Sequence, residues 1–146
     1  MRIPSVAIVG LSLVLGMCAN AHAGTDGVLG LWTTIDDNSG KPRSVVRLYE
    51  ENGKLMGDIT KIFPEPDEDP NPVCDECTDH RAGKPIIGMR IVTGLEKGDE
   101  RWQAGKILDP ENGKEYRAEI WREGDILKVR GYLMMFYRTQ QWMPAN

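Results

Sequence analysis

Tight-turn sequences separate short segments of branched and aromatic residues along most of this chain, and no other feature constrains the fold as strongly. Asn-Gly occurs at 52–53 and at 112–113, and this dipeptide accepts the positive φ angles of hairpin turns. Further turns rich in Gly, Asp and Asn occupy 36–43, 95–101 and 122–127. The pattern predicts an all-β domain of about eight strands. The strand-like segments are 29–35, 44–50, 55–63, 85–92, 101–108, 116–121, 126–136 and 137–142.

Glycines inside the predicted strands favour a closed barrel over a sandwich. Gly57, Gly88, Gly105 and Gly131 each fall within a strand-like segment, where glycine usually marks a bend, a bulge or a close contact. Such positions suit a small, strongly coiled sheet. Successive hairpins form a meander, and eight meandering strands can close into a single antiparallel up-and-down barrel, which leaves no exposed edge.

The first 23 residues have the pattern of a cleaved signal peptide. A charged start precedes an apolar run at 6–17, and a small-x-small site ends at Ala23. About twelve apolar residues are too few to cross a bilayer, which needs roughly 20. A lipoprotein signal ending at Cys18 is the alternative, but Met17 stands where a small residue is preferred. We expect residues 24–146 to form the mature barrel domain in the periplasm of a Gram-negative envelope, without a membrane span.

The charge of the mature chain argues against a nucleic-acid partner. Removal of Arg2 from the 18 basic residues leaves 17 against 22 acidic ones, a net charge of −5. A mildly acidic domain lacks the basic surface that nucleic acids or anionic membranes require, so neither is expected as a partner. A chain of roughly 120 residues is one domain with a real core.

One long segment, 64–84, interrupts the pattern of strands. It contains four of the nine prolines, the acidic run 67–69 and two cysteines. Because proline has no amide hydrogen for a ladder, this segment is not a central strand. Insertions of this length are usually functional or mobile. We expect the loop to cross an open end of the barrel or to lie against its wall.

Three interpretations compete for Cys74, Cys77 and His80 within this loop. A disulfide fits an oxidising compartment and would remove roughly 2 kcal/mol of unfolded-state entropy. A metal site could use both thiolates and the imidazole, with Asp75 or Asp79 as a fourth ligand, but no further Cys or His completes it. A redox dithiol is disfavoured because the neighbouring carboxylates would raise the thiol pKa. The disulfide is the prediction, and the metal site is the alternative.

The sequence resembles the "domain of unknown function 2147" family of uncharacterised bacterial envelope proteins. The resemblance rests on "GLWTT", "GKPRSVVRLYEENGKLMGDI", the Cys-x-x-Cys loop, "GKPIIGM", "GKILDPENGKEYRAEI", "LKVRGYL" and "RTQQW", and it runs from about Gly30 to Trp142. It implies a lipocalin-like or streptavidin-like barrel exported from Gram-negative cells. It brings no established activity and no cofactor.

A wider similarity concerns Trp32 and Arg138. Gly30-x-Trp32 on the first strand, with an arginine on the last, is similar to small ligand-binding barrels in which a tryptophan plugs one end and the arginine covers its face. The resemblance implies a structural cation–π contact of roughly 0.5–2 kcal/mol between these two side chains.

The candidate binding residues are Leu133, Met135, Val129 and Trp102. Alternation along 126–136 puts the first three on one face of a single long strand, and methionine can line an adaptable pocket. The competing interpretation is that Leu133 and Met135 fill the interior while Met134 and Phe136 pack beneath the long loop.

These observations lead to two functional hypotheses. The first is a periplasmic barrel that binds a small, largely apolar ligand. The second is an envelope interaction module with a filled interior, which docks a protein partner through the acidic cysteine-containing loop. No catalytic constellation is present in the sequence, so we do not expect an enzyme. A cavity of a few hundred cubic ångströms at one barrel end would favour the first.

Overall fold

The computed structural model describes residues 24–146, which form one closed antiparallel barrel of eight strands joined in sequence order. The predicted signal peptide, 1–23, lies outside the described residues. The strands are β1 (Gly30–Ile35), β2 (Pro42–Glu51), β3 (Lys54–Ile62), β4 (Arg90–Lys97), β5 (Trp102–Asp109), β6 (Lys114–Glu123), β7 (Ile126–Leu133) and β8 (Phe136–Pro144). The prediction of an up-and-down barrel is confirmed. Within residues 24–146, no helix has the length and apolar character needed to cross a membrane.

The barrel closes where β8 returns to β1. Trp32 lies opposite Pro144, and Thr33 lies opposite Met143. Because the connections alternate between the two ends, the β1–β2, β5–β6 and β7–β8 turns and the long β3–β4 loop share one end. We call this the open end, since a cavity opens there. The other end, which we call the closed end, carries the remaining turns and residues 24–29.

The closed end is filled by large apolar side chains. Trp32 is 4% exposed and Trp102 is 2% exposed, and they share one buried cluster with Val28, Leu55 and Leu127. The Trp32 indole donates to the carbonyl of Val28 at 2.8 Å. The chain before β1 therefore folds across this end and seals it.

The predicted boundary between the last two strands was wrong. Residues 126–136 were expected to form one strand, but β7 ends at Leu133 and β8 begins at Phe136. Leu133 pairs with Phe136 across a two-residue turn. Met134 has a φ of 56° there, a positive value that two-residue hairpin turns require. Nothing in the composition of this turn announces it, since it contains no Gly, Pro, Asn or Asp.

The strand predicted at 85–92 also begins later than expected. β4 starts at Arg90, and Gly88 lies before it with a φ of 89°. Gly88 therefore belongs to the end of the long loop and is not an interior strand glycine. The other three glycines do lie within strands. Gly105 shows why: a Cβ there would come within 2.5 Å of the Thr93 carbonyl oxygen on the neighbouring strand.

Candidate functional site

A cavity of about 650 Å³ opens at the open end of the barrel. Its deep part is apolar and includes Ile59, Ile91, Val129 and Trp142, which are all almost fully buried. Ile107 adds a partly buried apolar surface on β5. These side chains come from five different strands, so the barrel itself shapes the cavity floor.

A small side chain on β7 leaves this space free. Gly131 faces the cavity beside Tyr116, and a Cβ at position 131 would lie 3.2 Å from the Cβ of that tyrosine. Any larger residue would therefore press on the Tyr116 side chain and project into the cavity. The predicted close contact at Gly131 is real, and its consequence is an open interior.

One wall of the cavity is polar. Thr34 and Ser44 share a hydroxyl hydrogen bond of 2.8 Å across β1 and β2. The Gln140 side chain accepts a hydrogen bond from the Trp142 indole at 3.3 Å and donates to Asp37 at 3.0 Å. This row leads from the apolar floor to the mouth, so a bound molecule could keep polar groups satisfied along its length.

Charged side chains surround the mouth. Arg138 forms an ion pair with Asp37, and Arg43 donates to Glu68 at 2.9 Å and to Glu111 at 3.0 Å. Arg43 therefore links β2 to both the long loop and the β5–β6 turn. The hydrogen bonds that Arg43 donates to Glu68 and Glu111 raise the pKa of its guanidinium, so Arg43 stays charged. The mouth is a ring of paired charges above an apolar interior.

Asp109 differs from the other carboxylates described at the mouth because its hydrogen-bond donors are neutral groups and not arginines. It accepts hydrogen bonds from the Glu111 amide at 2.9 Å and the Asn112 side chain at 3.1 Å. Burial raises the pKa of the Asp109 carboxyl despite these bonds. Asp109 is also one of the residues that line the cavity. Asp109 therefore stabilises the β5–β6 turn and also lies at the cavity.

The cysteine loop is a structural staple. Cys74 and Cys77 form the predicted disulfide, with a Cα–Cα distance of 5.4 Å, and both are buried. The metal alternative of Cys74, Cys77 and His80 is wrong because the two sulfurs are bonded to each other. Within the described chain, no group of three or more His, Cys, Asp or Glu side chains is placed to hold a metal ion.

Arg81 fixes this loop to the barrel wall. It is only 7% exposed, and it donates to the Arg90 carbonyl at 3.0 Å, at the start of β4. Its guanidinium pairs with Asp79 at 2.6 Å and with Glu115 of β6 at 3.3 Å. Hydrogen bonds from Arg81 hold the pKa of the Asp79 carboxyl well below its usual range. The loop is thus ordered and anchored, rather than free.

The β5–β6 turn packs directly against the disulfide. A Cβ at Gly113 would overlap the carbonyl carbon and oxygen of Glu76, and the Cys74 sulfur lies 3.7 Å from the Pro110 carbonyl oxygen. The "DPENGKEY" segment, one of the motifs of the family resemblance, therefore packs directly against the Cys-x-x-Cys loop.

Of the four predicted binding residues, Val129 alone lines the cavity. Trp102 lies in the closed end, where its indole donates to the Thr25 carbonyl at 3.4 Å. Leu133 and Met135 are 48% and 85% exposed at the β7–β8 turn. The expectation that they face the interior was wrong because the strand ends at Leu133 and the chain reverses outside the barrel.

The predicted contact between Trp32 and Arg138 was also wrong. Trp32 is buried at one barrel end as expected, but Arg138 lines the mouth at the other end. Arg122, at the end of β6, takes the covering role, with its guanidinium carbon 6.0 Å from the Trp32 ring centroid. The Arg122 side chain also donates to the carbonyls of Gly124 at 2.6 Å and Gly27 at 3.3 Å.

Sequence reasoning missed most of the cavity. Arg138, Gln140 and Trp142 alternate along β8 and all line it. The segment "RTQQW" carries this alternation, and it could have identified the three as one face. Ile59, Ile91 and Ile107 carry no comparable signal because buried isoleucines on a strand look the same whether they border a cavity or a filled core.

Comparison with known proteins agrees with this architecture. A solved structure entitled "Protein HP1028 from the human pathogen Helicobacter pylori belongs to the lipocalin family" superposes with a TM-score of 0.69 at 18% identity, over 84% of this chain and 85% of that one. At this identity, the likeness shows a lipocalin-like fold. Among curated proteins, none is similar enough in sequence to count as a relative. The model of a bacterial family, described as "Uncharacterized protein conserved in bacteria (DUF2147)", matches residues 30–143. The chain belongs to this DUF2147 family.

Proposed function

We propose that this protein is an exported, periplasmic barrel that binds one small amphiphilic molecule without transforming it. The ligand's apolar part would lie on the floor formed by Ile59, Ile91 and Trp142. Its polar end would lie at the mouth, beside Arg138 and Gln140. The single observation that carries the proposal is the cavity of about 650 Å³ at the open end, since ligand pockets typically have volumes of this order.

The polar wall refines the ligand class expected from the sequence. The side chains of each pair, Thr34–Ser44 and Gln140–Asp37, bond to one another but keep further hydrogen-bonding capacity. A purely apolar ligand would exclude water from that capacity without replacing it, and imperfectly paired polar groups reduce affinity. A molecule with one hydrocarbon part and one polar or charged group matches both walls.

The alternative, an interaction module with a filled interior, has less support. Its docking element was the acidic loop, but Glu68 and Asp79 of that loop pair with Arg43 and Arg81 of this same chain. Those carboxylates would have to give up intramolecular partners before they could bind another protein.

Cavity binding can be tested with anilinonaphthalene sulfonate, an apolar dye that carries one anionic group. We expect the dye to bind the purified protein, and Ile107→Trp to weaken that binding about tenfold or more by filling the cavity. The matched control is Thr93→Trp, since Thr93 is exposed on the outer face of the neighbouring strand β4. Equal dye binding by both variants, at equal folding stability, would contradict a ligand site in the cavity.

Two measurements on protein from its own cell envelope complete the test. Native mass spectrometry should detect a co-purifying molecule that is absent from the Ile107→Trp variant. N-terminal sequencing should find Gly24 first. A chain that still begins at Met1, or a lipid on Cys18, would contradict export by a cleaved signal peptide.

A further inference from the structure

The β7–β8 turn exposes a continuous apolar surface. We call residues 133–136 the hairpin tip. Their exposed fractions are 48% for Leu133, 91% for Met134, 85% for Met135 and 73% for Phe136. Contiguous exposed apolar patches are uncommon on monomeric proteins and usually mark a contact with a membrane or another protein. The exposed apolar side chains of the hairpin tip therefore indicate a surface that contacts a partner.

Met134 is hard to explain by folding alone. Its φ of 56° is a conformation that favours Gly, Asn or Asp and disfavours a long side chain. Its side chain is almost fully exposed, so packing within the barrel does not offset the cost. A strained residue that packs against nothing in its own chain is a sign of function.

Cations and tyrosines lie directly behind the tip, on the outer face of the barrel. The register places Lys106, Arg117, Tyr132 and Tyr137 side by side across β5 to β8. The Arg117 guanidinium lies 4.8 Å from the Tyr132 ring centroid, and that of Arg130 lies 4.4 Å from the Tyr137 centroid. We call these five residues the cationic belt.

The positive charge of the cationic belt is available to a partner. Among residues 24–146, no carboxylate lies within ion-pair distance of Lys106, Arg117 or Arg130, whereas most other arginines have one. Glu119 lies opposite Arg130 in the register, but its carboxylate accepts from Arg101 at 2.7 Å and from Tyr132 at 3.0 Å. Arg101 balances the charge of Glu119, so the belt keeps a net positive charge. The acidic run 67–69 is in the β3–β4 loop, half the barrel away in strand order. The net negative charge of the chain argues against anionic membranes in general, but a barrel tilted onto β6–β8 would present local positive charge and keep the acidic run away from the contact.

The order of these groups matches the depth profile of a lipid interface. Tyrosine and arginine suit the level of the headgroups, and apolar side chains suit the level beyond them. Met134 lies two residues beyond Tyr132, so it projects about 7 Å past the belt. Interfacial segments typically enter the bilayer by about 5–10 Å.

We propose that the hairpin tip docks this barrel onto a bilayer that contains anionic phospholipids. The tip side chains enter the acyl region, while Arg117, Arg130 and Lys106 contact phosphate groups. A protein partner fits less well because the tip is a narrow convex turn, whereas a stable protein interface buries about 800 Å² on each side. Since Arg138 lines the mouth next to the tip, docking places the cavity mouth at the membrane surface.

Vesicle co-flotation tests this proposal on the purified full protein. We expect binding to vesicles of phosphatidylcholine with phosphatidylglycerol, and much weaker binding to phosphatidylcholine alone. The tip variant Met134→Ser/Phe136→Ser should lose at least about tenfold in affinity. The matched control is Leu31→Ser/Met143→Ser, which removes two half-exposed apolar side chains at the closed end and should bind like the wild type.

A second set of vesicle measurements distinguishes the contribution of the cationic belt from that of the hairpin tip. Arg117→Gln/Arg130→Gln should weaken binding to the anionic vesicles severalfold, and added salt should weaken the wild type in the same way. Neither change should affect the residual binding to phosphatidylcholine.

Three results would overturn the proposal. One is no binding of the wild type to anionic vesicles at low salt, and another is equal binding by the tip variant and its control. The third is a dimer in analytical ultracentrifugation that the tip variant abolishes, since the tip would then contact a second copy. None of these results bears on dye binding in the cavity, so the two proposals can fail separately.

Discussion

Two Asn-Gly turns in this barrel hold their glycines at similar positive φ angles but in different surroundings, which predicts unequal effects of the same mutation. Gly53 and Gly113 have φ values of 75° and 70°, so alanine strains the backbone similarly at either position. No atom lies within 4 Å of a Cβ at Gly53, whereas at Gly113 it would overlap the Glu76 carbonyl. Comparing Gly53→Ala with Gly113→Ala isolates the contact between the β5–β6 turn and the cysteine loop.

The expected magnitudes follow from these two situations. A left-handed conformation costs an alanine about 1–2 kcal/mol, partly offset by the lower entropy of the unfolded chain. Gly53→Ala should therefore lower the free energy of unfolding by about 1 kcal/mol. Gly113→Ala adds an overlap with backbone atoms, and overpacking typically costs a further 1–3 kcal/mol. We expect a total loss of about 2–4 kcal/mol for Gly113→Ala.

Urea unfolding of both variants, followed by tryptophan emission, measures these losses. All four tryptophans are buried, so the emission reports on the whole barrel. The midpoints should shift while the slopes stay equal, since neither change alters the surface exposed on unfolding.

Local detachment of the loop is the second way to relieve the overlap. In that case, the Gly113→Ala variant would lose less stability, but proteases would cut within residues 64–84. Equal stability losses in the two variants, with the loop still protected, would refute the argument that Gly113 is required by the cysteine loop.

Three further predictions concern other contacts. Arg122→Ala should cost about 1–2 kcal/mol in urea unfolding, through lost carbonyl and ring contacts, whereas Arg138→Ala should be close to neutral because its side chain is 66% exposed. Pairing with Arg81 lowers the pKa of Asp79 in the folded state, so its stabilisation exists above about pH 4 and is lost as the pH falls. Asp79→Asn should thus destabilise the protein at pH 7, and its difference from the wild type should shrink in acid. Met134→Gly should raise the unfolding midpoint, since glycine adopts the positive φ without strain; a lower midpoint would contradict the strain at this turn.

The strands were predictable where local chemistry and burial agree. Residues 116–120 alternate between less and more exposed positions in β6, as their alternation of apolar and charged residues indicates. Asn52 and Gly53 both have positive φ values, as the Asn-Gly turn predicts. Each of these elements is determined by neighbours in sequence, so a single sequence is enough to find it.

The β7–β8 turn was not predicted because its sequence contains no turn-forming residue and instead looks like the continuation of a strand. Residues 133–136 are all apolar, and a run of apolar residues normally continues a strand. The chain reverses there because β8 must pair with both β7 and β1, which is a requirement of the closed barrel and not of the local sequence. A turn that uses Met134 against its own preference becomes visible only when the whole sheet is present.

The cavity escaped prediction for a different reason. It depends on a small residue, Gly131, facing a large one, Tyr116, on the adjacent strand, and on how far inward Trp142 reaches from β8. Such volumes are set by the register of strands distant in sequence. The sequence could predict the barrel. Whether its interior is filled depends on the combined volume of the inward-facing side chains, which no local sequence pattern reveals.

The misplacement of Arg138 was avoidable, since strand parity alone excludes its contact with Trp32. In an eight-strand meander, odd-numbered strands run toward one end and even-numbered strands return. The starts of β1 and β8 therefore lie at opposite ends. Trp32 is near the start of β1, and Arg138 is near the start of β8. The residue that reaches Trp32 must come from the end of an even strand or the start of an odd one, and Arg122, near the end of β6, meets that condition. Trp102, at the start of β5, belongs to the closed end by the same count, away from any cavity at the open end.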